Sequence, residues 1–105
     1  MVIVETSVFT RQVQKLLRDD DYRELQIVLA EHPDMGAVMV GSGGLRKTRW
    51  SAQGRGKRGG VRVIYYWAVK QERLLMLLMY PKSERDDLSK EQLQILRKIV
   101  EEEYR

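Results

Sequence analysis

The hydrophobic pattern of the chain predicts four β-strands. A short β-branched run, Val2–Glu5, is typical of a first strand. Three later runs are also β-prone, and they are Leu45–Trp50, Val61–Val69 and Leu74–Tyr80. Within the last run, Leu74–Met79 is apolar at every position, so we expect a central strand that is covered on both faces.

Helical spacing of apolar residues predicts three helices. After the first strand, Thr6 or Ser7 offers an N-cap to the first helix. Three consecutive aspartates open a second helix, which ends before His32 and Pro33. Because the link between these two helices is so short, they are expected to pack as a hairpin. A C-terminal helix begins at Ser89, which caps it together with Gln92.

The order β-α-α-β-β-β-α predicts an α+β fold. Three antiparallel strands form a meander, the N-terminal strand joins at one edge, and the helical hairpin packs on one face. At 105 residues, we expect one domain that spans residues 1–105. The chain has no cysteine, which excludes disulfides and thiolate chemistry and suits a reducing compartment. With neither a signal-peptide pattern nor a long apolar run, we expect a cytoplasmic protein.

Positive charge is concentrated in the middle of the chain. The net charge is +4, yet no acidic residue occurs between Asp34 and Glu72. Seven cations share a glycine-rich stretch of this region: Arg46, Lys47, Arg49, Arg55, Lys57, Arg58 and Arg62. Arginine binds phosphate bidentately, and the glycines let backbone amides approach an anion. A merely solvated strand surface is the alternative, but the one-sided charge favours a polyanion-binding surface.

RNA is the favoured polyanion. The sequence contains no cation-bearing recognition helix of the kind that reads DNA, so a DNA-binding repressor acting alone is disfavoured. A sheet with arginine and aromatic side chains suits single-stranded RNA, whose bases splay and stack. The candidate stacking residues are Trp50, Tyr65, Tyr66, Trp67 and Tyr80. Because neighbouring residues of a strand face opposite ways, at least half of them are expected in the core.

The sequence has little conventional hydrolytic machinery. Its only histidine, His32, precedes a proline at a predicted helix end and is expected to cap that helix. Asp86 and Asp87 lie in a polar connector, where carboxylates are usually solvated, so a metal nuclease is disfavoured. Lysine and arginine could instead stabilise the charge that develops when the 2′-hydroxyl of RNA attacks its own phosphate. The composition permits this chemistry but does not show it.

Three segments, GSGGLRKTRW, GRGKRGGVRVIYYW and LLMLLMYPKSERDDLS, resemble the RelE superfamily of ribosome-dependent toxins, and most closely its HigB2-like branch. The resemblance implies an antiparallel sheet with a helical pair on one side. It also implies cleavage of mRNA in the ribosomal A site, without metal or cofactor, leaving a 2′,3′-cyclic phosphate. The implied partners are the mRNA, ribosomal RNA and a helix-turn-helix, HigA-like antitoxin, with DNA contacted only through the antitoxin complex and no membrane involved.

The same resemblance assigns functional residues. Its catalytic positions fall on Lys47, Arg49, Arg62 and Lys82. The RNA-binding residues expected around them are Arg46, Arg55, Lys57, Arg58, Tyr65 and Tyr80. The arginine and the tyrosine that many members carry after the last strand fall on Ser83 and on Ser89 or a close neighbour, which leaves Tyr65, Tyr80 or Lys57 to replace the tyrosine. An RNA-binding or ribosome-binding module without cleavage activity is therefore the alternative function.

Overall fold

The computed structural model describes residues 1–51, 60–85 and 87–104, and in these ranges it contains five strands and three helices. In chain order they are β1 (Val2–Glu5), α1 (Ser7–Leu16), α2 (Asp19–Glu31), β2 (Ala37–Val38), β3 (Leu45–Ser51), β4 (Gly60–Ala68), β5 (Arg73–Pro81) and α3 (Lys90–Tyr104). The predicted α+β class and element order are confirmed.

All strands belong to one mixed sheet with the order β1-β5-β4-β3-β2. The predicted meander is β3, β4 and β5, in antiparallel pairs, and β1 joins its edge parallel to β5. The expectation of about four strands is corrected to five by β2, which pairs with β3 at the other edge. Strand β2 has only two residues, and both are exposed, so it is too short to produce a periodic pattern.

The sheet is covered on both faces, by different helices. One core packs α1 and α2 on the first face and contains Phe9, Val13, Leu17, Leu25, Leu29, Val61, Val63, Tyr65, Leu74, Met76 and Met79. A second core packs α3 on the other face and contains Leu45, Ile64, Leu75, Leu77, Tyr80, Leu96 and Val100. Strand β5 contributes to both cores, as its uninterrupted apolar sequence predicted.

A β-bulge in β5 changes which side chains face α3. Ile64 is opposite Leu78, and the next residue of β4, Tyr65, is opposite Met76, so Leu77 is an extra residue in β5. Before the bulge, even-numbered residues of β5 face the helical hairpin; after it, Met79 does so and Tyr80 faces α3. The bulge therefore decides the orientation of the strand end that follows.

Helix caps agree with the predicted boundaries. At the start of α3, the Ser89 hydroxyl accepts from the Gln92 backbone N–H at 3.1 Å, and the Gln92 side chain accepts from the Ser89 N–H at 3.0 Å. This is the reciprocal capping box that the sequence predicted. At the end of α2, the backbone N–H of His32 donates to Val28 at 2.8 Å, so His32 is the C-terminal cap. Within the described ranges, no helix is both long and apolar enough to cross a membrane.

Thr6, rather than Ser7, caps α1, and it also fastens the bulge. Its hydroxyl oxygen accepts from the Phe9 N–H at 3.1 Å and its hydroxyl group donates to the carbonyl of Leu77 at 3.1 Å. One side chain thus satisfies an orphan amide of the helix and the carbonyl of the extra residue in β5. It joins the first helix to the irregular part of the sheet.

Replacing Thr6 by alanine is therefore expected to lower the free energy of unfolding by about 1–2 kcal/mol, because both hydrogen bonds are lost. Urea denaturation measures the loss. Thr6→Ser keeps the hydroxyl and should restore most of the stability, whereas Ser7→Ala, at an exposed neighbour, should change little. Equal losses from Thr6→Ala and Ser7→Ala would contradict this account of the cap.

Candidate nucleic-acid interface

Two arginines lie directly opposite each other on neighbouring strands. Arg49 of β3 pairs with Arg62 of β4, and Arg62 pairs in turn with Tyr80 of β5. Opposed residues of an antiparallel pair share one face with Cβ atoms about 5 Å apart, and like charges in such positions are destabilising. An anion bound between two guanidinium groups relieves that repulsion. The register therefore builds a site suited to phosphate.

Lys47 extends this basic surface along β3. It precedes Arg49 by two residues and so shares its face, as the predicted alternation requires. The Lys47 ammonium forms an ion pair with Asp87, in the connector that leads to α3. The side chain of Lys47 is only 25% exposed, against 70% for that of Asp87. The two residues are 40 positions apart, so only the folded chain brings them together.

Lys82 closes the other side of the surface. Its backbone N–H donates to the carbonyl of Gly60 at 3.1 Å, which continues the pairing of β4 with β5 by one residue beyond Pro81. The side chain is exposed and follows Tyr80 by two positions. Lys47, Arg49 and Arg62 thus share one face of the sheet, and Lys82 lies at the strand end beside them. Their catalytic role remains a prediction.

Arg85 also belongs to this neighbourhood, although the sequence alone did not point to it. Its guanidinium carbon lies 4.8 Å from the centroid of the Tyr80 ring. Its Nε is buried and has no hydrogen-bond partner among the described residues. The available signal was its position three residues after Lys82, directly beyond the last strand. Such a cation stacked on an aromatic ring keeps the remaining donors of its planar group available for an anion.

Arg46 is on the opposite face, and its predicted RNA contact does not fit this placement. Its guanidinium donates to the carbonyl of Gly36 at 2.8 Å and to that of Asp34 at 3.2 Å. It also lies 5.9 Å from the centroid of the Trp67 ring. The group holds the segment after α2 against the sheet. These contacts give Arg46 a structural role, and its RNA contact stays a prediction that this placement does not favour.

The two tyrosines predicted to stack on RNA are buried. Tyr65 is 0% exposed; its hydroxyl donates to the carbonyl of Pro33 at 2.7 Å and accepts from the Gly36 N–H at 2.9 Å. Burial raises the pKa of Tyr65 above its ordinary value, so the hydroxyl stays protonated at neutral pH. Tyr80 is 2% exposed beneath Arg85. Neither ring is exposed to a base in this structure, so the placement of both tyrosines favours core packing over the predicted stacking.

Tyr65→Phe is expected to lower the free energy of unfolding by about 1–3 kcal/mol, because the buried amide of Gly36 loses its acceptor. Guanidinium denaturation measures that loss. The resemblance implies inhibition of translation, and in a translation extract, at a temperature where the variant is folded, the variant should inhibit as the wild type does, since the hydroxyl faces the helical hairpin. A folded Tyr65→Phe variant that no longer inhibits would restore Tyr65 to the functional site.

The other predicted contacts divide into three groups. Arg55, Lys57 and Arg58 lie outside the described residues. Trp50 and Trp67 pack against the core beneath α1 and α2. Tyr66 stacks on Tyr104 of α3, with ring centroids 5.9 Å apart and planes at 26°.

Among the described residues, there is no group of three or more histidine, aspartate or glutamate side chains that could hold a metal ion.

Comparison with known proteins identifies the family. Residues 1–104 match the family described as the RelE toxin of the RelE/RelB toxin–antitoxin system. The chain belongs to the RelE toxin family. A solved structure of a double mutant of the E. coli toxin RelE in the free state matches with a TM-score of 0.59 and 13% identity, covering 81% of this chain and 86% of that chain. At this identity, the likeness supports a common fold.

This RelE-family chain uses Ser89 for structure. The family's tyrosine was expected at this position or a close neighbour, and here the serine hydroxyl caps α3. Ser83, at the position of the expected arginine, is exposed in the turn after β5. Two residues further along, Arg85 places a guanidinium group over Tyr80.

Proposed function

We propose that this chain is the toxin of a type II toxin–antitoxin system, of the HigB2-like branch, and that it cleaves mRNA on the ribosome as an endoribonuclease. The observation that carries the proposal is the cross-strand pair Arg49–Arg62, flanked by Lys47 along β3. Opposed cations on one face of neighbouring strands repel each other, and a phosphate bound between their guanidinium groups offsets that repulsion. The phosphate of the scissile nucleotide is that anion.

The proposed reaction needs no bound nucleophile. The 2′-oxygen of the substrate attacks the adjacent phosphorus and loses its proton, while the bond from phosphorus to the 5′-oxygen breaks and that oxygen takes up a proton. The products are a 2′,3′-cyclic phosphate and a 5′-hydroxyl. Arg49 and Arg62 stabilise the additional negative charge of the pentacoordinate phosphorane. Lys47 and Lys82 hold the neighbouring backbone on either side.

Arg85 is proposed to replace the arginine that the family pattern places at Ser83. Its guanidinium stacks on Tyr80, and Tyr80 is the cross-strand neighbour of Arg62. Arg85 therefore contacts the ring of the residue that lies opposite Arg62 in the sheet. Stacking restricts the conformations of Arg85 before RNA binds, so less entropy is lost on forming a contact to phosphate.

The proposed partners follow from this activity. Messenger RNA in the ribosomal A site is the substrate, ribosomal RNA supplies further phosphate contacts, and the cytoplasm is the compartment. A cognate antitoxin of the helix-turn-helix, HigA-like kind neutralises the toxin, and the complex binds DNA through the antitoxin. A segment with negative charge that covers Lys47, Arg49 and Arg62 would exclude RNA by competing for the same cations.

Primer extension on an mRNA under translation tests the proposal. Discrete stops within codons, dependent on both toxin and ribosomes, are expected. Translation arrest with an intact message would instead indicate the non-catalytic, ribosome-binding alternative. That alternative is favoured by the capping role of Ser89, since the resemblance places the family's tyrosine at Ser89 or a close neighbour and the Ser89 hydroxyl caps α3.

A further inference from the structure

An apolar cavity of about 460 Å³ lies next to the basic surface. Its volume is within the range of small-molecule sites. Met39, Leu88 and the short strand β2 contribute apolar walls, and Lys47 and Asp87 contribute the polar part. Ala37 of β2 is directly opposite Lys47 in the sheet, so the cavity opens beside the ammonium group that we assign to phosphate binding.

The position of the cavity fits one nucleotide of a bound strand. Lys47 and Arg49 are two residues apart on β3, which separates their Cα atoms by about 7 Å. This is close to the spacing of consecutive phosphates in an extended RNA strand. Lys47 and Arg49 can therefore bind two consecutive phosphates. Because the Lys47 side chain also lines the cavity, the base of the nucleotide whose phosphate it binds is within reach of the cavity. Apolar side chains and the polarizable sulfur of Met39 suit the face of an aromatic base.

Asp87 supplies hydrogen-bond acceptors at the rim of the cavity. Its Oδ1 contacts the Lys47 ammonium, and its side chain is largely exposed, so the carboxylate can accept further hydrogen bonds. An ionised carboxylate only accepts hydrogen bonds. Guanine is the RNA base whose Watson–Crick edge presents two adjacent N–H donor groups, and a carboxylate can accept from both. The other bases present at most one such group to it.

We propose that this cavity binds the base of the nucleotide whose phosphate contacts Lys47, and that Asp87 selects guanine there. The inference rests on the proposed function and adds a determinant of codon preference to it. An apolar peptide side chain is the competing occupant, since Val38 and Val40 at the rim are exposed. Lys47, as a wall of the cavity and a member of the phosphate-binding surface, favours the nucleotide.

Cleavage rates on ribosomes programmed with a matched set of mRNAs test the selection. Each A-site codon of the set differs from a reference codon at one position, and the set contains all four bases at each of the three positions. For the wild type, guanine at one codon position is expected to raise the rate about tenfold over the other bases. Asp87→Asn should reduce this ratio to near one, whereas Glu84→Gln, in the same connector but outside the cavity, should leave it unchanged.

The ratio of the cleavage rate with guanine to the rate with another base is measured within each variant. A change in phosphate affinity at Lys47 affects both rates equally and therefore does not alter this ratio. A guanine preference that survives in Asp87→Asn, or a wild type that cleaves without preferring guanine, overturns this inference alone. If the wild type cleaves no codon at all, the proposed function fails, and the inference fails with it.

A second variant tests occupancy of the cavity. Ala37 is exposed, so Ala37→Phe can fill the cavity without disturbing either core. Cleavage of every codon is expected to fall about tenfold or more as the base is displaced. Ile27→Phe, at an exposed position of α2, is the matched control and should cleave normally. Circular dichroism checks that both variants are folded. Normal cleavage by Ala37→Phe, with weakened neutralisation by the antitoxin, would make the cavity a protein-docking site and overturn the inference.

Discussion

Replacing Arg62 by alanine is expected to slow mRNA cleavage by about 10²–10³-fold, the effect of removing one donor to a developing oxyanion. The reason is the position of Arg62 in the middle of the meander, between Arg49 on one neighbouring strand and Tyr80 on the other. A guanidinium here is half-buried, where water screens its charge less than at an exposed site. Arg62→Lys should recover only part of the rate, because lysine keeps the charge but loses the bidentate geometry.

Single-turnover cleavage of a ribosome-bound message measures this effect, and growth arrest on expression provides a second readout. Arg73→Ala is the matched control. Arg73 is also an arginine of the sheet, but it is exposed at the start of β5, opposite Ala68 at the far end from the site. It should cleave at the wild-type rate. Full toxicity in a folded Arg62→Ala variant would remove Arg62 from the mechanism and leave the cross-strand pair without its proposed role.

Phe9→Ala is expected to have the largest effect on stability, a loss of about 3–5 kcal/mol in the free energy of unfolding. Phe9 is 0% exposed in the core between the helical hairpin and the sheet. Its ring lies 5.9 Å from that of Tyr22, so α1 and α2 both contact it. Truncation leaves a cavity, and neither helix can move into it without disturbing its own packing against the sheet.

Chemical denaturation gives the free energy, with the wild type and Val8→Ala as references. Val8 is the preceding residue of α1 and is 42% exposed, so its truncation should change the free energy by less than about 0.5 kcal/mol. A loss below about 1 kcal/mol in Phe9→Ala would show that the first core tolerates the vacancy. Phe9→Ala should lose cleavage only as it unfolds, in contrast to a folded but inactive Arg62→Ala.

Local patterns predicted most of the architecture. Three β-prone runs gave the meander, and the apolar run of β5 was found between two cores because both of its faces must avoid water. Strand alternation also placed Lys47 and Arg49 together and Arg46 on the other face. What alternation could not provide was which face the helical hairpin covers, and therefore that Arg46 lies on the hairpin side of the sheet, away from Lys47 and Arg49.

The site depends on features with no local signature. Strand β2 is two residues long, so its pairing with β3 produces no periodicity. The meeting of Lys47 with Asp87 depends on how the connector after β5 folds back. Similarly, Tyr65 appeared in the sequence as an aromatic next to basic residues. In the folded chain, its hydroxyl instead accepts a hydrogen bond from the buried backbone N–H of Gly36.

The amino-acid sequence by itself determined the class of fold, the basic central region and the family, because periodicity, charge and motif spacing are properties of neighbouring residues. The tertiary structure alone decided that Arg49 is opposite Arg62 and that the bulge at Leu77 turns Tyr80 toward α3. Register and bulges are set by contacts between residues distant in the chain, whose energies no local pattern encodes.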